Sequence, residues 1–273
     1  MVTLWTVAVL MFNVVGSAPV ADPATAPILD LVPEKLPPLQ VYSVNLAVDI
    51  PIIVVGATVG LLRSTMDAHL VRKRCPCDAS GLNALDRRAV GYHSDSAALA
   101  SDVLVAVVEA GVPVLELLDL GMSRALAEDL TILAESVMVE VVFQQAANFG
   151  VQRPRPRTYA GDPASIRASE GYLSFYAGHV GTTVAMLSAA SFTLRLRYGE
   201  QVWPWVVTGL VGTGMGVLRV AAGKHFPTDA AVGALVGLAA GVAVPWLHVR
   251  TSDLQLRVAP GPGDVGLGLV GVF

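Results

Sequence analysis

Apolar residues in this chain gather into six long segments that are separated by short polar stretches. The segments cover residues 44–62, 97–120, 125–149, 172–194, 202–222 and 230–249. A helix of about 20 apolar residues spans the hydrocarbon core of a bilayer, which is roughly 30 Å thick. The length and apolar character of the segments therefore predict an all-α fold, a six-helix membrane bundle.

The last three segments differ from the second and third in their polar content. The last three are rich in Gly, Ala, Ser and Thr, which lets helix backbones approach closely in lipid. The second and third carry eight acidic residues: Asp102, Glu109, Glu116, Asp119, Glu128, Asp129, Glu135 and Glu140. An Asp at the centre of a membrane helix costs about 2.5–3.5 kcal/mol on insertion scales, so we interpret these groups as structural partners within the bundle. The same cost leaves a soluble, periplasmic helical protein as an alternative.

The two ends of the chain lie outside this helical region. Residues 1–21 form an apolar run followed by small residues, which suits a targeting or signal-like segment, although no Lys or Arg precedes the run. Residues 22–43 are rich in proline and predict an extended linker. We expect the helical domain over residues 44–249, followed by a tail, 250–273, that resembles a short hairpin around Pro-Gly-Pro-Gly.

Composition agrees with a membrane protein and argues against other classes. The chain is 53% hydrophobic and 15% charged, whereas soluble domains are about 25% charged. Its net charge of -4 gives no support for a nucleic-acid partner. Cys75 and Cys77 are too few for a disulfide framework and lack the spacing of a zinc or CxxC motif, so we interpret them as incidental loop cysteines.

Basic residues, histidines and one aspartate gather at the ends of the apolar segments. They are Arg153, Arg155, Arg157, His179, Arg219, Lys224, His225 and Asp229. If all six segments cross the membrane, the loops after the first, third and fifth share one face. Every one of these residues then converges on that face.

This combination of side chains suits phosphoryl transfer at a bilayer surface. A phosphate monoester carries about two negative charges, and arginine binds its oxygens through a planar fork of donors. A nucleophilic histidine must be neutral at the attacking nitrogen, with its other N–H held by an acceptor. Asp229 follows His225 by four residues and can be that acceptor, while His179 can protonate the leaving oxygen.

Three motifs built from these residues resemble those of the type 2 phosphatidic acid phosphatase and vanadium haloperoxidase superfamily. The spacing of Arg219, His225 and Asp229, with five and three residues between them, resembles the third motif. Segment 174–179, Ser-Phe-Tyr-Ala-Gly-His, resembles the second motif, usually Pro-Ser-Gly-His. Segment 148–156 resembles the first motif, usually Lys-x6-Arg-Pro.

The resemblance implies a fold of the type 2 phosphatidic acid phosphatase kind and a role for each matching residue. His225 would be the nucleophile that forms a phosphohistidine, Asp229 would orient it, and His179 would be the general acid. Arg155 and Arg219 would bind the phosphate oxygens. The scheme implies no metal ion and no other cofactor, because the arginines neutralise the charge of the phosphate.

Four positions depart from the motifs: Asn148, Tyr176, Ala177 and Leu218. Two of these departures remove a group that would contact phosphate. Asn148 stands where the family has lysine, and Ala177 stands where it has serine. One lost charged contact in a buried site costs about 1.5–3 kcal/mol, or about ten- to a hundredfold in rate. Arg153, Arg157 and Lys224 are the candidates to compensate, so Arg153 and Lys224 join Asn148 as further candidate phosphate-binding residues.

Together these features predict a metal-independent phosphatase that hydrolyses a lipid phosphate or diphosphate, with membrane lipids as its surroundings. We expect a multi-pass protein of the bacterial inner membrane. Most of its lysines and arginines lie in loops on the catalytic face, and the positive-inside rule would place that face in the cytoplasm. The resemblance instead implies a periplasmic site. The sequence selects neither the lipid nor the oligomeric state.

Other interpretations stay open at this point. A degenerate, non-catalytic membrane protein could keep the fold and bind anionic lipid through its basic face. A soluble periplasmic acid phosphatase or a vanadate haloperoxidase would share the histidines and arginines. Acidic residues within membrane segments also occur in transporters, but the chain shows no clear internal repeat or broken helix around a midplane site.

Overall fold

The computed structural model describes residues 39–75, 77–250, 255–260 and 265–270. In chain order its helices are α1 (Leu46–Leu70), α2 (Ala84–Arg87), α3 (Asp95–Leu120), α4 (Arg124–Val151), α5 (Pro156–Tyr159), α6 (Pro163–Arg167), α7 (Gly178–Tyr198), α8 (Trp203–Ala221) and α9 (Pro227–Leu247). Two 3-10 turns lie at Ala79–Gly81 and Ser169–Tyr172. The long helices cover the six apolar segments, so the all-α prediction is confirmed. The predicted targeting segment 1–21 and most of the predicted linker lie outside the described residues.

Polar side chains mark where the long helices begin. Asn45 Oδ1 accepts a hydrogen bond from the backbone N–H of Ala47 at the start of α1. Ser94 and Ser123 make the equivalent caps for α3 and α4, with Oγ–N distances of 3.2 Å in both. A cap of this kind satisfies one of the backbone donors that has no partner within the helix. The caps therefore fix the starts of these helices within the short polar stretches seen in the sequence.

Small residues bring α7 and α9 into backbone contact. A Cβ atom added at Gly237 would lie 2.2 Å from the carbonyl oxygen of Gly181, and one added at Gly241 would lie 2.3 Å from the carbonyl oxygen of Ala185. Such distances are too short for any side chain, so the glycines are what allows this approach. The close contact holds together the helix that carries His179 and the helix that carries Asp229.

We expect Gly237→Ala to lower the thermal stability of the protein. Overpacking at a tight contact costs about 1–3 kcal/mol, which exceeds the gain of up to about 1 kcal/mol from replacing a helical glycine by alanine. Gly209→Ala in α8 is the matched control, because a Cβ there meets nothing within 4 Å. Thermal unfolding followed by tryptophan fluorescence checks the prediction. A Gly237→Ala protein that melts at or above the temperature of the control would contradict it.

Three of the described helical stretches are long and apolar enough to cross a membrane: Leu46–Arg63 in α1, Trp203–Ala221 and Pro227–Leu247. Large apolar side chains stand exposed on these helices, among them Leu61 and Leu235. In a bilayer this surface faces lipid tails rather than water. The described helices are therefore compatible with a membrane protein, while the number of six spans stays a prediction.

Several of the acidic residues in α3 and α4 have partners inside the bundle. Asp129 is fully buried and accepts hydrogen bonds from Arg197 Nη2 at 2.5 Å and Arg197 Nε at 2.8 Å. Glu128 accepts from Arg124 Nε at 3.0 Å. A buried carboxylate needs a cation or several donors to offset its lost hydration. These contacts agree with the interpretation of Asp129 and Glu128 as structural partners. Asp102 and Glu135 are described below, and neither carboxylate oxygen of the fully buried Glu140 has a hydrogen-bond partner among the described residues.

Two features lie outside the helices. Strands β1 (Gln255–Pro260) and β2 (Val265–Val270) pair in antiparallel fashion in the tail, where the sequence predicts a hairpin. The cysteines that we interpreted as incidental, Cys75 and Cys77, are instead joined by a disulfide, with their Cα atoms 4.5 Å apart. A bridge across one intervening residue lies outside the disulfide frameworks that cysteine counting detects.

Candidate active site

Four chain segments meet at one end of the bundle and carry most of the predicted site residues. The end of α4 leads into the loop that holds Arg155, α7 begins beside His179, and α8 ends beside Arg219. His225 lies in the turn between α8 and α9. Gly223 forms this turn with φ +65°, a conformation in which glycine is favoured, and its added Cβ would collide with a backbone oxygen. The fold thus brings these four residues together.

His225 is held in the form that a nucleophile requires. It is 3% exposed, and its Nδ1 lies 2.7 Å from the backbone carbonyl oxygen of Ser174. Because a carbonyl only accepts, Nδ1 carries the proton and Nε2 keeps its lone pair. Burial, with Arg219 and Arg155 nearby, lowers the pKa of His225 well below its usual range. The imidazole is therefore neutral at pH 7.

This low pKa predicts that His225 stays neutral well below pH 6.5, the usual midpoint for histidine. An environment of buried cations disfavours the imidazolium form, so protonation requires more acid than usual. The imidazole NMR signals of the protein, titrated with acid in detergent, check the prediction. The signal that disappears in His225→Gln assigns the residue, and a midpoint for it near pH 6.5 would contradict the prediction.

The prediction that Asp229 accepts from His225 is wrong, because the carbonyl of Ser174 takes that place. Asp229 Oδ2 accepts from Ser174 Oγ at 2.5 Å and from the backbone N–H of Phe226 at 2.9 Å. The carboxylate therefore fixes both the residue whose carbonyl holds His225 and the start of α9. Asp229 therefore supports His225 through Ser174 rather than by direct contact.

Arg153 is placed away from the phosphate position that the sequence suggested. Its Nη1 donates to Asp229 Oδ1 at 2.5 Å and its Nη2 donates to Asp86 Oδ2 at 2.7 Å. Its guanidinium also lies 4.1 Å from the centre of the Phe226 ring. Burial alone would raise the pKa of the Asp86 carboxyl, but hydrogen bonds from Arg153 and Thr228 outweigh it and lower that pKa. Arg153 is thus a structural cation between two buried carboxylates.

Arg155 and Arg219 are both buried, and each has a donor nitrogen without a hydrogen-bond partner among the described residues. Arg155 Nη1 donates to Glu170 at 3.2 Å, and Arg219 Nη1 donates to Asp102 and to Ser101 Oγ, both at 3.0 Å. The Nε atoms of both arginines are buried and have no hydrogen-bond partner among the described residues. A buried donor without an acceptor costs about 1–3 kcal/mol or more for a charged group. A ligand with several acceptor oxygens would remove this cost.

The cations of the site also repel one another. Burial lowers the pKa of Arg155 to about 10, and the nearby charge of Arg219 acts in the same direction. Burial and Arg155 lower the pKa of Lys224, whose Nζ is 3.8 Å from a Glu170 carboxylate oxygen. Arg155 in turn lowers the pKa of the Glu170 carboxyl. The mutual repulsion of these cations favours an anion between them.

Asn148 is fully buried at the end of α4, where the resemblance places the first motif. Neither its Oδ1 nor its Nδ2 has a hydrogen-bond partner among the described residues. A buried amide with no partner is rare in folded proteins, and each such group calls for an explanation. Its Nδ2 is a neutral donor at the position where the family has lysine.

His179 is paired with a carboxylate that the sequence did not assign to the site. Its Nε2 lies 3.0 Å from Asp102 Oδ1, the oxygen that also accepts from Arg219. Because a carboxylate accepts, Nε2 of His179 carries a proton in this arrangement. Asp102 and Glu170 are therefore site residues that sequence reasoning missed, as is Ser174, whose carbonyl holds His225. Asp102 could have been found in the sequence as an acidic residue near the start of an apolar segment. We interpreted it instead as a structural partner within the bundle.

An apolar groove of about 690 Å³ runs between α8 and α9. Gly212 and Gly216 of α8 and Ala230 and Leu235 of α9 line it, together with side chains of α7. Pro227, two residues after His225, is among the residues that line it. The groove thus extends from the neighbourhood of the site along the apolar part of the bundle.

Side chains with the spacing of metal ligands lie away from this site. Within the part of the chain that the structure describes, Asp49, Glu135 and His248 place ligand-type atoms within 4.8 Å of one another. They lie at the end of the bundle where α9 ends, whereas His225 lies at the end where α9 begins. A metal held by this trio would be at the opposite end of the bundle from His225.

Residues 129–253 match the family model of the PAP2 superfamily. No match to the chain was found among curated proteins or among solved structures. The matched segment contains His179, His225, Arg155, Arg219 and Asp229. The motifs, their convergence at one end of the bundle and this match agree with one another. The family match assigns residues 129–253 to the PAP2 superfamily and supports the resemblance to the type 2 phosphatidic acid phosphatases.

Proposed function

We propose that this protein hydrolyses a lipid phosphate or diphosphate through a phosphohistidine on His225, without a metal ion. One observation carries the proposal: the neutral Nε2 of a buried His225 lies beside Arg155 and Arg219, whose Nε atoms have no acceptor among the described residues. Membership of the PAP2 superfamily supports a phosphatase-type function in general. The lipid substrate and the covalent intermediate are the parts that we add.

The first step forms the phosphoenzyme. Nε2 of His225 attacks phosphorus while the P–O bond to the lipid breaks. His179, which takes up a proton to become the imidazolium when the anionic phosphate binds, gives a proton to the leaving oxygen. Arg155 and Arg219 bind the non-bridging oxygens through donors that are already in place. Asp102 holds His179 and Arg219 in position before the substrate arrives.

The second step releases inorganic phosphate. Water attacks the phosphohistidine, and His179, now neutral, accepts a proton from that water. The P–N bond breaks, and Nε2 of His225 regains its lone pair. The Ser174 carbonyl keeps the Nδ1 proton in place throughout, so the same nitrogen is used in every cycle.

The groove between α8 and α9 supports a substrate with a hydrocarbon tail. Its lining is apolar and includes Pro227, two residues after His225, and both helices are apolar enough to span a membrane. A tail in this groove would remain in an apolar environment while the phosphate reaches the cations. We propose isoprenoid diphosphates, phosphatidic acid and lipid A phosphates as the candidate substrates.

The disulfide supports a periplasmic site. The loop with Cys75 and Cys77 lies on the same side of the bundle as Arg155, since the N–H of Arg72 donates to Gln152 Oε1 at 2.9 Å and Lys73 Nζ donates to the carbonyl of Arg167. Disulfides persist in the periplasm and are rare in the cytosol. We propose a multi-pass protein of the bacterial inner membrane with its site on the periplasmic side.

Phosphate release from a panel of lipid phosphates tests the proposed function. Full-length protein in detergent is assayed with each lipid and with a matched short-chain phosphate ester, with and without brief exposure to EDTA. We expect release that favours the lipid and survives EDTA, and a phosphoenzyme stable in base and labile in acid, as a P–N bond is. Loss of activity in EDTA that Mg²⁺ restores would contradict the metal-independent scheme. No release from any substrate by folded protein would favour a non-catalytic protein that binds anionic lipid.

A further inference from the structure

A second cluster of reactive side chains lies at the opposite end of the bundle from His225. Asp49 lies in the first turn of α1, Glu135 lies in α4, and His248 directly follows α9. His248 Nε2 is 3.4 Å from Asp49 Oδ1 and 3.6 Å from Glu135 Oε2. None of the three takes part in the phosphate chemistry proposed above, so the cluster calls for its own explanation.

The two carboxylates of this cluster are deeply buried. Asp49 is 1% exposed and Glu135 is 4% exposed. Glu135 Oε2 points toward His248 and has no hydrogen-bond partner among the described residues. A buried carboxylate without a donor or a cation is strongly unfavourable. Positive charge is therefore needed between Asp49 and Glu135.

The orientation of His248 shows which of its nitrogens faces the carboxylates. Nδ1 lies 2.8 Å from the carbonyl oxygen of Val244 and therefore carries the proton of the neutral imidazole. Nε2 then presents a lone pair toward two carboxylate oxygens that also present lone pairs. A backbone carbonyl that fixes Nδ1–H is the usual support for a histidine that binds metal through Nε2.

The distances within the cluster distinguish a metal ion from a proton. A protonated His248 would be expected at about 2.7–2.9 Å from a carboxylate oxygen. The observed distances are 3.4 and 3.6 Å. Zinc binds histidine nitrogen and carboxylate oxygen at about 2.0–2.2 Å in a tetrahedron, which places neighbouring ligand atoms about 3.3–3.6 Å apart. The two distances from His248 Nε2 therefore match edges of such a tetrahedron, and all three ligand atoms lie within 4.8 Å of one another.

We propose that Asp49, Glu135 and His248 bind a divalent transition-metal ion, with Zn²⁺ as the best match and water completing the coordination. The backbone N–H of Asn45 donates to Asp49 Oδ2 at 2.8 Å and so orients this ligand from behind. The His248 side chain is 17% exposed, which gives the ion and its water a route from solvent. The ion joins α1, α4 and α9 at the end of the bundle away from the phosphate site, and its role is structural.

Metal content and thermal stability test this proposal independently of phosphatase activity. Full-length protein in detergent, with any histidine tag removed, is loaded with Zn²⁺, washed free of excess ion and analysed by mass spectrometry for metal. We expect about one zinc per chain in the wild-type protein and at least about tenfold less in His248→Ala. Zn²⁺ at 100 times its Kd should raise the unfolding midpoint of the wild-type protein by about 5 °C or more, and EDTA should reverse the shift.

Two further variants make the result decisive. His69→Ala removes an exposed histidine of α1 and should keep the zinc and the stabilisation. Glu135→Gln keeps the size of the side chain, removes a ligand charge and should lose both, which provides the answer if His248→Ala does not fold. Equal zinc in the wild-type, His248→Ala and Glu135→Gln proteins would overturn the proposal, because the ion would then be bound elsewhere. A wild-type protein without zinc and without any response to Zn²⁺ or Co²⁺ would also overturn it.

Discussion

We expect the His225→Gln protein to release phosphate at least about 10³-fold more slowly than the wild-type protein. In the proposed mechanism the variant removes the nitrogen that attacks phosphorus. It also removes the imidazole that the hydrogen bond from Nδ1 to the Ser174 carbonyl holds in the correct orientation. A glutamine amide can still donate to the same carbonyl, so the buried position keeps a polar partner. The measurement is kcat/KM for phosphate release from the best lipid of the panel.

The control for this variant is His69→Gln, a change at an exposed histidine in the last turn of α1. We expect it to retain full activity. The His225→Gln protein should also unfold within a few degrees of the wild-type protein and should yield no acid-labile phosphoenzyme. Activity above about a tenth of wild type in a folded His225→Gln protein would show that another group attacks phosphorus.

Arg153 and Arg155 are separated by one residue, and we expect opposite outcomes when each is replaced by alanine. Arg153→Ala leaves the fully buried carboxylates of Asp86 and Asp229 without their shared cation. Breaking a buried ion pair by removing one partner costs about 3–5 kcal/mol. We expect an unfolding midpoint about 10 °C or more below that of the wild-type protein, measured by tryptophan fluorescence.

Arg155→Ala removes a guanidinium whose Nε has no partner among the described residues. Little stability is lost with such a group, but a donor to the transferring phosphate is lost, at a cost of about 10²–10³ in kcat. We therefore expect a stable and nearly inactive protein. An Arg153→Ala protein that is as stable as wild type and inactive would restore the phosphate-binding role that the sequence suggested for Arg153.

The sequence predicted the fold and the gathering of the site, but not the directions of the side chains. Apolar length and motif spacing place His179, Arg219 and His225 at the ends of helices, and the helices bring them together. Spacing alone cannot distinguish Arg153 from Arg155, because both lie in an irregular loop whose path depends on tertiary contacts. The partner that distinguishes them, Asp86, lies 67 residues away from Arg153 in the chain.

The same reasoning explains why Ser174 was missed as the support of His225. A backbone carbonyl is present at every residue, so no residue type signals which one faces an imidazole. Asp229 does fix the site, but through Ser174 Oγ and the N–H of Phe226, which only the folded turn brings together. Glu170 carried no signal because it lies in a polar loop, where an acidic residue is unremarkable.

For the lipid phosphatase proposed above, the carboxylates of Asp102 and Glu170 would provide a means of choosing between phosphate headgroups. Each occupies one arginine when no substrate is bound, and both side chains are more than half exposed. An arriving headgroup must therefore compete with two anions for the same donors. A terminal phosphate, with about two charges and three free oxygens, competes well, whereas a phosphodiester has one charge and two free oxygens. Bulk phospholipids with diester headgroups would thus be poor inhibitors in the membrane where they vastly outnumber the substrate.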